Sequence, residues 1–296
     1  MTEAATNLAK PHHDFSPRVW RLAHGRSLEL GARGHLKAIV NVTPDSFSDG
    51  GRFDDIDAAV AAAEAMVAEG AAIVDIGGES TRPGADPVDA ETEQSRVLPV
   101  IEALARRSDA ILSVDTYRAD TARRAIEAGA HVINDVWGLQ RDPEMARTAA
   151  ELEAGLCIMH TGRERQKAAD VVEDQHLFLG RSLELARDAG VAHEAIVLDP
   201  GFGFAKDADE NVELMARFAE LHALGHPLVA GTSRKRFIGA VSGRDMDQRD
   251  IATASTTAML RLQGAAIFRV HDIPANKDAL AMADAVLARR YSGAGR

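Results

Sequence analysis

The sequence predicts an α/β protein, a (β/α)8 (TIM) barrel with a short N-terminal arm, and three observations carry that prediction. Eight short apolar runs recur along the chain, each followed by a Gly or polar loop and then an Ala-rich helical stretch. The runs are continuously apolar rather than alternating, which is the pattern of parallel strands buried on both faces. Eight such units occupy about 255 residues, the size of one barrel of roughly 250 residues.

Taken in order, residues 1–35 read as a polar arm without a clear period. Within it, RSLEL and LGARGHLKAIV are placed to pair as an edge hairpin around a Gly-containing turn. The barrel domain spans residues 36–292. Its strands are KAIVNV (37–42), AAIVDIG (71–77), AILSVD (110–115), HVIND (131–135), LCIMH (156–160), AIVLD (195–199), PLVAG (227–231) and AIFRVH (266–271). Between them, stretches such as DAAVAAAEAMVAEG, AETEQSRVLPVIEALARR and RADTARRAIEAGA carry apolar residues at helical spacing, with Gly near the ends. ANKDALAMADAVLARRY supplies a helix after the eighth strand. The rival architecture, a doubly wound sheet, lacks its opening GxGxxG: GFGFAKD has Lys206 where the third Gly belongs. GTSRKRFIG has the wrong Gly-to-Lys spacing for a Walker loop.

Composition narrows the function. The 296 residues include 34 Lys and Arg against 45 Asp and Glu, 46% hydrophobic residues and one Cys. A net charge of −11 argues against nucleic-acid binding, which needs a basic face. The hydrophobic fraction excludes wholesale disorder, and a single thiol excludes an internal disulfide framework. No run approaches 18 apolar residues, so no membrane span is expected. The N-terminal MTEAATNLAKPHHDFSPRVW carries acids and prolines where a signal peptide has an apolar core, so a soluble cytoplasmic protein is expected.

In a barrel, the polar residues that close the strands converge on one mouth. Here they are Asn41, Asp115, Asn134, Asp135, His160 and Asp199, with Ser233, Arg234 and Lys235 after strand seven and Arg269, His271 and Asp272 at strand eight. Strand two leads to Glu79, Ser80, Thr81 and Arg82. Any one of the acids or amides serves equally well as a helix cap. Capping does not require acids and cations together on one rim, so the set as a whole points to a small ligand with donor-rich and anionic parts. Two long loops, TPDSFSDGGRF (43–53) and GGESTRPGAD (77–86), sit at the same end and are expected to act as lids, with Phe47 covering a ring. Cys157 reads as an inert core thiol, Met159 as barrel filling, His12 and His13 as solvated, and RERQK (163–167) as a solvated loop. No His pattern has zinc-ligand spacing.

These residues are specific enough to carry a family resemblance. AIVNVTPDSFSDGG (38–51) and DIGGESTRPGA (75–85) resemble the two signature segments of the dihydropteroate synthases. SVDTYRADTARRAIEAGAHVINDVWG, LDPGFGF, GTSRKRFIGA and RVHD resemble the later segments, in order, so that the likeness covers about residues 36–290. It implies a barrel that joins 4-aminobenzoate to (7,8-dihydropterin-6-yl)methyl diphosphate, a step of folate biosynthesis and the target of sulfonamides.

By this resemblance, Asp199, Asn134, Asp115 and Lys235 would read the edges of the pterin, with Met159, Phe204 and Gly231 lining the same pocket. Arg269 would lie over the ring and face the diphosphate, together with His271 and Asn41; Asn41 would also be a ligand of Mg2+. Phe47, Thr81, Arg82, Pro83 and Ser233 resemble the 4-aminobenzoate side. Asp115, Lys235, Arg269, His271 and Asp49 would carry the chemistry, with the carboxylates stabilising a cationic pterin as diphosphate leaves. A homodimer is implied, for which ATASTTAMLRLQGAA offers a smooth face. The chain departs from many relatives in having MHTGRERQK (159–167) for an MHMQG-type string, and Arg236 where some have Ser after the SRK lysine. Two other functions compete. One is a pterin-binding methyltransferase domain, which would not need the TPDSFSDGG loop or SRK. The other is a catalytically silent paralogue, against which the intact rim argues.

Overall fold

The computed structural model describes residues 15–43, 52–80 and 86–292, with the backbone alone at 52–55 and 291–292. Ten strands are present among them. The first two, β1 (Arg18–Arg21) and β2 (Ser27–Leu30), form an antiparallel pair. The other eight close a parallel barrel in sequence order: β3 (His35–Asn41), β4 (Ile73–Gly77), β5 (Ile111–Asp115), β6 (Val132–Asp135), β7 (Gly155–Met159), β8 (Ile196–Asp199), β9 (Leu228–Ala230) and β10 (Ala265–Val270), which returns to β3. These are the eight runs predicted from sequence.

Helices cover the outside of the barrel. They are α1 (Arg52–Glu69), α2 (Ala90–Arg107), α3 (Ala119–Glu127), α4 (Met145–Glu151), α5 (Val171–Asp188), α6 (Ala208–Ala216), α7 (Arg236–Ser242), α8 (Asp250–Leu262) and α9 (Ile273–Ser292). Three of them start on a side-chain cap. Asp89 accepts from Thr92 N, Asp170 from Val172 N and Glu173 N, and Asp207 forms a reciprocal capping box with Glu210. The connection from β9 to β10 holds two helices, α7 and α8, where the other crossovers have one.

Alternation along each strand divides the core. Residues such as Leu36, Ala38, Val40, Val74, Ile76, Leu112, Val114, Ile133, Leu156 and Leu198 join the large cluster beneath the helices. Their alternates Ile73, Ile111, Val132, Cys157, Val197, Val229 and Ile267 form a second cluster inside the barrel.

The N-terminal arm does form a hairpin, but with a different partner from the one expected. Arg18–Arg21 pairs with Ser27–Leu30 across a 3-10 turn at Ala23–Gly25, and LGARGHLKAIV contributes barrel strand β3 instead. Both segments have strand composition; the tight turn, with His24 at φ 58, decides the pairing. The hairpin buries Trp20, Leu22 and Leu30 in the interior cluster, and Trp20 Nε1 donates to Ala195 O at 2.8 Å. The hairpin therefore plugs the N-terminal end of the barrel. Its C-terminal side is tied by Arg261, fully buried, which donates to Gly31 O at 2.7 Å, to Ala265 O at 3.0 Å and to Asp284 Oδ1 at 2.5 Å. No described helix is long and apolar enough to cross a membrane.

Candidate active site

With one end sealed by the hairpin, the polar groups gather at the other. The inward alternates of β3, β4, β5, β6 and β10 are Lys37, Asp75, Asp115, Asn134 and Arg269, and they form one connected network. Lys37 Nζ donates to Asn134 Oδ1 at 2.8 Å and faces Asp75 Oδ1 at 3.0 Å. Asn134 Nδ2 donates to Asp115 Oδ1 at 3.0 Å. Arg269 spans the two acids, with Nε on Asp75 Oδ2 at 2.6 Å and Nη2 on Asp115 Oδ2 at 2.7 Å. Two cations thus balance two carboxylates, and at the buried Lys37 and Asp75 end an unpaired charge would be strongly disfavoured.

The environment separates the two acids. Burial works against ionisation of Asp75, but Lys37 and Arg269 together hold its carboxyl below the usual carboxylate range. Burial wins at Asp115, raising its carboxyl above that range despite Arg269. For Arg269, the pull of Asp75 and Asp115 overrides burial and raises the guanidinium further.

A second group borders the same space. Asp199 Oδ1 accepts from Gly201 N at 2.7 Å. A methyl group at Gly231 would lie 3.3 Å from Asp199 Oδ2, 3.9 Å from Arg269 Cβ and 4.0 Å from Lys235 Nζ. Gly231 is therefore the gap through which these three residues face one volume. Lys235 Nζ donates to Phe202 O and lies 4.5 Å from the Phe204 ring centre. Burial, only partly offset by Asp199, pulls the Lys235 ammonium down to about 7. Phe204 packs with Met159 and Val136, beside Tyr117 and Trp137, as an apolar wall. Met159 is thus more than barrel filling, since it lines this mouth.

Two further predicted residues meet at the β9 and β10 ends. Ser233 Oγ and His271 Nδ1 are 2.9 Å apart, and His271 N donates to Ser233 Oγ at 3.2 Å. Asn41 closes β3, the strand next to β10, and a methyl group on Gly77 would be 3.7 Å from both Asn41 Oδ1 and Asp115 Oδ2. Phe47, Asp49, Thr81, Arg82 and Pro83, with most of the two lid loops, lie outside the described residues, as do His12 and His13.

Other rim residues take the capping role. Asp135 accepts from Trp137 N at 2.8 Å and Leu139 N at 2.7 Å, and Asp272 accepts from Ala275 N at 2.8 Å. Glu79 is engaged by Tyr117 OH at 2.9 Å and Arg118 Nη2 at 2.8 Å, and Arg234 by Asp250 at 2.7 Å.

The RERQK segment departs from its sequence reading. It is not simply a solvated loop: Arg165 grips Asp174 at 2.5 and 2.9 Å, Lys167 pairs with Glu210, and Arg163 lies 4.6 Å from the Phe204 ring centre. A run of alternating charges has no visible partner in sequence, and here the partners come from α5, α6 and the loop after β8. Cys157 is buried as expected, and burial pushes its thiol up.

Sequence reasoning also missed Lys37 and Asp75. Both lie inside apolar runs, at alternate positions from Asn41 and Gly77, and that alternation was the available signal. Lys206 and Asp174 were missed as well. In the sequence Lys206 stands out only as the residue that breaks a Gly-rich fingerprint.

The chain was compared with known proteins. A family model described as "Pterin binding enzyme" matches residues 37–271. The chain is 43% identical over 265 residues to the dihydropteroate synthase of Clostridium beijerinckii, covering 89% of this chain and 98% of that one. Among solved structures, a dihydropteroate synthase from Clostridium difficile, crystallised in the presence of pteroic acid, superposes with a TM-score of 0.85 at 44% identity, covering 88% of this chain and 98% of that chain. The Xanthomonas albilineans dihydropteroate synthase with 4-aminobenzoic acid superposes with a TM-score of 0.86 at 42% identity, covering 91% and 99%.

Proposed function

This chain belongs to the dihydropteroate synthase family of pterin-binding enzymes, and on that premise we propose how its barrel mouth condenses 4-aminobenzoate with (7,8-dihydropterin-6-yl)methyl diphosphate to give 7,8-dihydropteroate and diphosphate. The observation that carries the reading is the convergence of Asp115, Asn134, Asp199, Lys235 and Arg269 on one space between the Phe204–Met159 wall and Gly231. A pterin presents an aminopyrimidinone edge of N–H donors beside a carbonyl. Asp199 Oδ2 accepts from that edge, Asn134 and Asp115 meet the opposite edge, and Lys235 donates to the carbonyl and N5 side. A ring without this edge leaves buried polar groups unpaired, which is a strong source of discrimination.

The diphosphate lies toward Arg269, His271 and Asn41. The residues present suit Mg2+. Asn41 Oδ1 is a hard oxygen donor beside Asp115 Oδ2, and no cluster of three acidic, His or Cys ligands occurs among the described residues. That donor set fits a cation that takes most of its ligands from phosphate and water. Asn41 would hold it, and when bound it supplies charge neutralisation of the leaving diphosphate.

The chain's own residues do the rest. Arg269 neutralises charge on the leaving group and stays aligned because Asp75 and Asp115 fix its guanidinium. As the C–O bond to diphosphate breaks, positive charge spreads into the dihydropterin, and Asp115 stabilises it electrostatically. The aniline nitrogen of 4-aminobenzoate then attacks the methylene carbon and loses a proton. Ser233, held by His271, is assigned to the aminobenzoate side, to which the family resemblance also assigns Phe47, Thr81, Arg82 and Pro83, and a sulfonamide competes there because it mimics the same aniline. Asp49 adds to the charge stabilisation. No covalent enzyme intermediate is needed.

The active form is a cytoplasmic homodimer in this reading. Ile251 and Met259 of α8, with Met282 and Val286 of α9, are exposed apolar side chains on two helices packed against each other. Incorporation of radiolabelled 4-aminobenzoate, with and without Mg2+, tests the reaction. Product above background that depends on the metal is expected, and its absence with fresh pterin diphosphate rejects the synthase reading in favour of a silent paralogue.

A further inference from the structure

Asp199 is held from behind by a closed ring of hydrogen bonds whose other members lie outside the site described above. Asp199 Oδ1 accepts from Gly201 N at 2.7 Å, and Gly201 O accepts from Lys206 Nζ at 3.0 Å. Lys206 Nζ also donates to His160 Nδ1 at 2.9 Å, and His160 N donates back to Asp199 O at 2.8 Å. Asp174 fixes the far side of the imidazole, with Oδ2 2.9 Å from His160 Nε2, and is itself clamped by Arg165.

The chemistry of the ring is self-consistent. The Lys206 ammonium can only donate, so His160 Nδ1 accepts from it and the ring proton sits on Nε2, which faces Asp174 Oδ2 and has Arg165 Nη2 2.9 Å away. Burial keeps the imidazole neutral by drawing its pKa down to about 3. Burial also lowers the Lys206 ammonium to about 7, with Lys235 adding to the shift. Lys206 is partly buried, and its amine is held by two well-placed acceptors, Gly201 O and His160 Nδ1.

The loop has little freedom to adopt another arrangement. Gly201 has φ +63, and a Cβ there would lie 1.9 Å from His160 O. Lys206 holds the Gly201–Phe202 peptide through Gly201 O, and with φ restricted at Gly201 this limits how the preceding Pro200–Gly201 peptide, whose N–H meets Asp199 Oδ1, can turn.

We propose that Lys206, locked by His160 and Asp174, is a positioning residue that holds the backbone on either side of Gly201 in place and so fixes the orientation in which Asp199 presents Oδ2 to the pterin. The inference rests on the pterin-binding reading above and assigns Lys206 no contact with substrate. Its effect belongs to pterin recognition and not to the aminobenzoate side, which is built from other strands.

The test measures the Kd of 6-hydroxymethylpterin by calorimetry, together with steady-state kinetics, in Lys206→Met, Lys206→Arg and His160→Leu. Lys206→Met is expected to weaken pterin binding at least ten-fold while the KM for 4-aminobenzoate, at saturating pterin diphosphate, changes less than three-fold. Lys206→Arg, which keeps a cationic donor, recovers most of the affinity. His160→Leu, which removes the acceptor that locks Lys206, behaves like Lys206→Met and decides the matter if the latter does not fold. Unchanged pterin affinity in a folded Lys206→Met or His160→Leu protein overturns the inference, as does an equal loss on both substrates. A wild-type chain that binds no pterin fails the functional reading itself, and this inference with it.

Discussion

Lys37 and Asp75, on the neighbouring strands β3 and β4, face each other at 3.0 Å inside the barrel, 1% and 0% exposed. The pair is not a stabilising ornament, because burying two charges in a dry core roughly cancels the attraction between them. Its effect is on Arg269 and Asn134. Asp75 takes the Nε of one and Lys37 donates to the amide oxygen of the other, so both are oriented before any ligand arrives.

Breaking the pair strands a charge. Lys37→Met is expected to destabilise the fold by about 3–5 kcal/mol, the range for removing one member of a buried ion pair. Urea unfolding monitored by circular dichroism measures it. A loss below about 1 kcal/mol would mean that Arg269 alone satisfies Asp75 and that the network has slack.

The pterin edge gives a separate expectation. Asp199→Asn and Asn134→Ala should each weaken binding of a pterin analogue by about 1–3 kcal/mol, the penalty for leaving a buried partner unsatisfied. Calorimetric titration checks both. Full affinity in the two variants would place the ring elsewhere.

Binding should also take up protons. Lys235 has its ammonium lowered to about 7 chiefly by burial. A carbonyl acceptor from the ligand stabilises the charged form, so the pKa rises on binding and a proton is captured at pH above about 7. Titrations in buffers of different ionisation enthalpy should therefore give different apparent enthalpies at pH 8, with the difference reduced in Lys235→Met. Identical enthalpies in all buffers would show that Lys235 does not change protonation.

Acid should destabilise the protein earlier than carboxylate titration alone predicts. Burial lowers His131 to about 4, His160 to about 3 and His226 to about 4, below the value of about 6.5 for an unfolded chain. Between those values the unfolded state binds more protons, so stability is full above pH 6.5 and falls as pH drops toward 4. His131 makes the cause explicit, since its Nδ1 accepts from Leu112 N at 3.0 Å and cannot do so once protonated. The melting temperature at pH 5 should be clearly below that at pH 7, and a flat profile would reject the linkage.

The exposed side chains on α8 and α9 predict self-association. Sedimentation at micromolar concentration should give a dimer, and Met282→Glu should shift it toward the monomer mass of 31.6 kDa. A wild-type monomer would reject the dimer.

How much of this was legible in the sequence depends on what each residue needed as a partner. The barrel strands were legible because burial on both faces writes a continuous apolar run such as AIVLD, whatever lies beside it. Asp115, Asn134 and Asp199 were legible because each closes a run, where a strand end must point at the mouth. Lys37 was not, since a lysine at the head of a run is explained only by Asp75 on the next strand and by Asn134, 97 residues away. Lys206 was hidden for the same reason, as its partner His160 is 46 residues distant. The hairpin was half legible: SLEL and HLKAIV both favour strands, but the choice of partner rests on a three-residue turn rather than on composition.

Arg261 binds the Gly31 carbonyl across 230 residues of chain, and this has a bearing on biosynthesis. While the protein is still emerging from the ribosome, its first hairpin has neither the floor it seals, completed only when β10 joins β3, nor the guanidinium that fastens it. The earliest segment made is thus among the last to settle. A nascent chain halted before Arg261 would carry Trp20 and Leu30 uncovered, two greasy side chains available to a chaperone or to another unfinished copy.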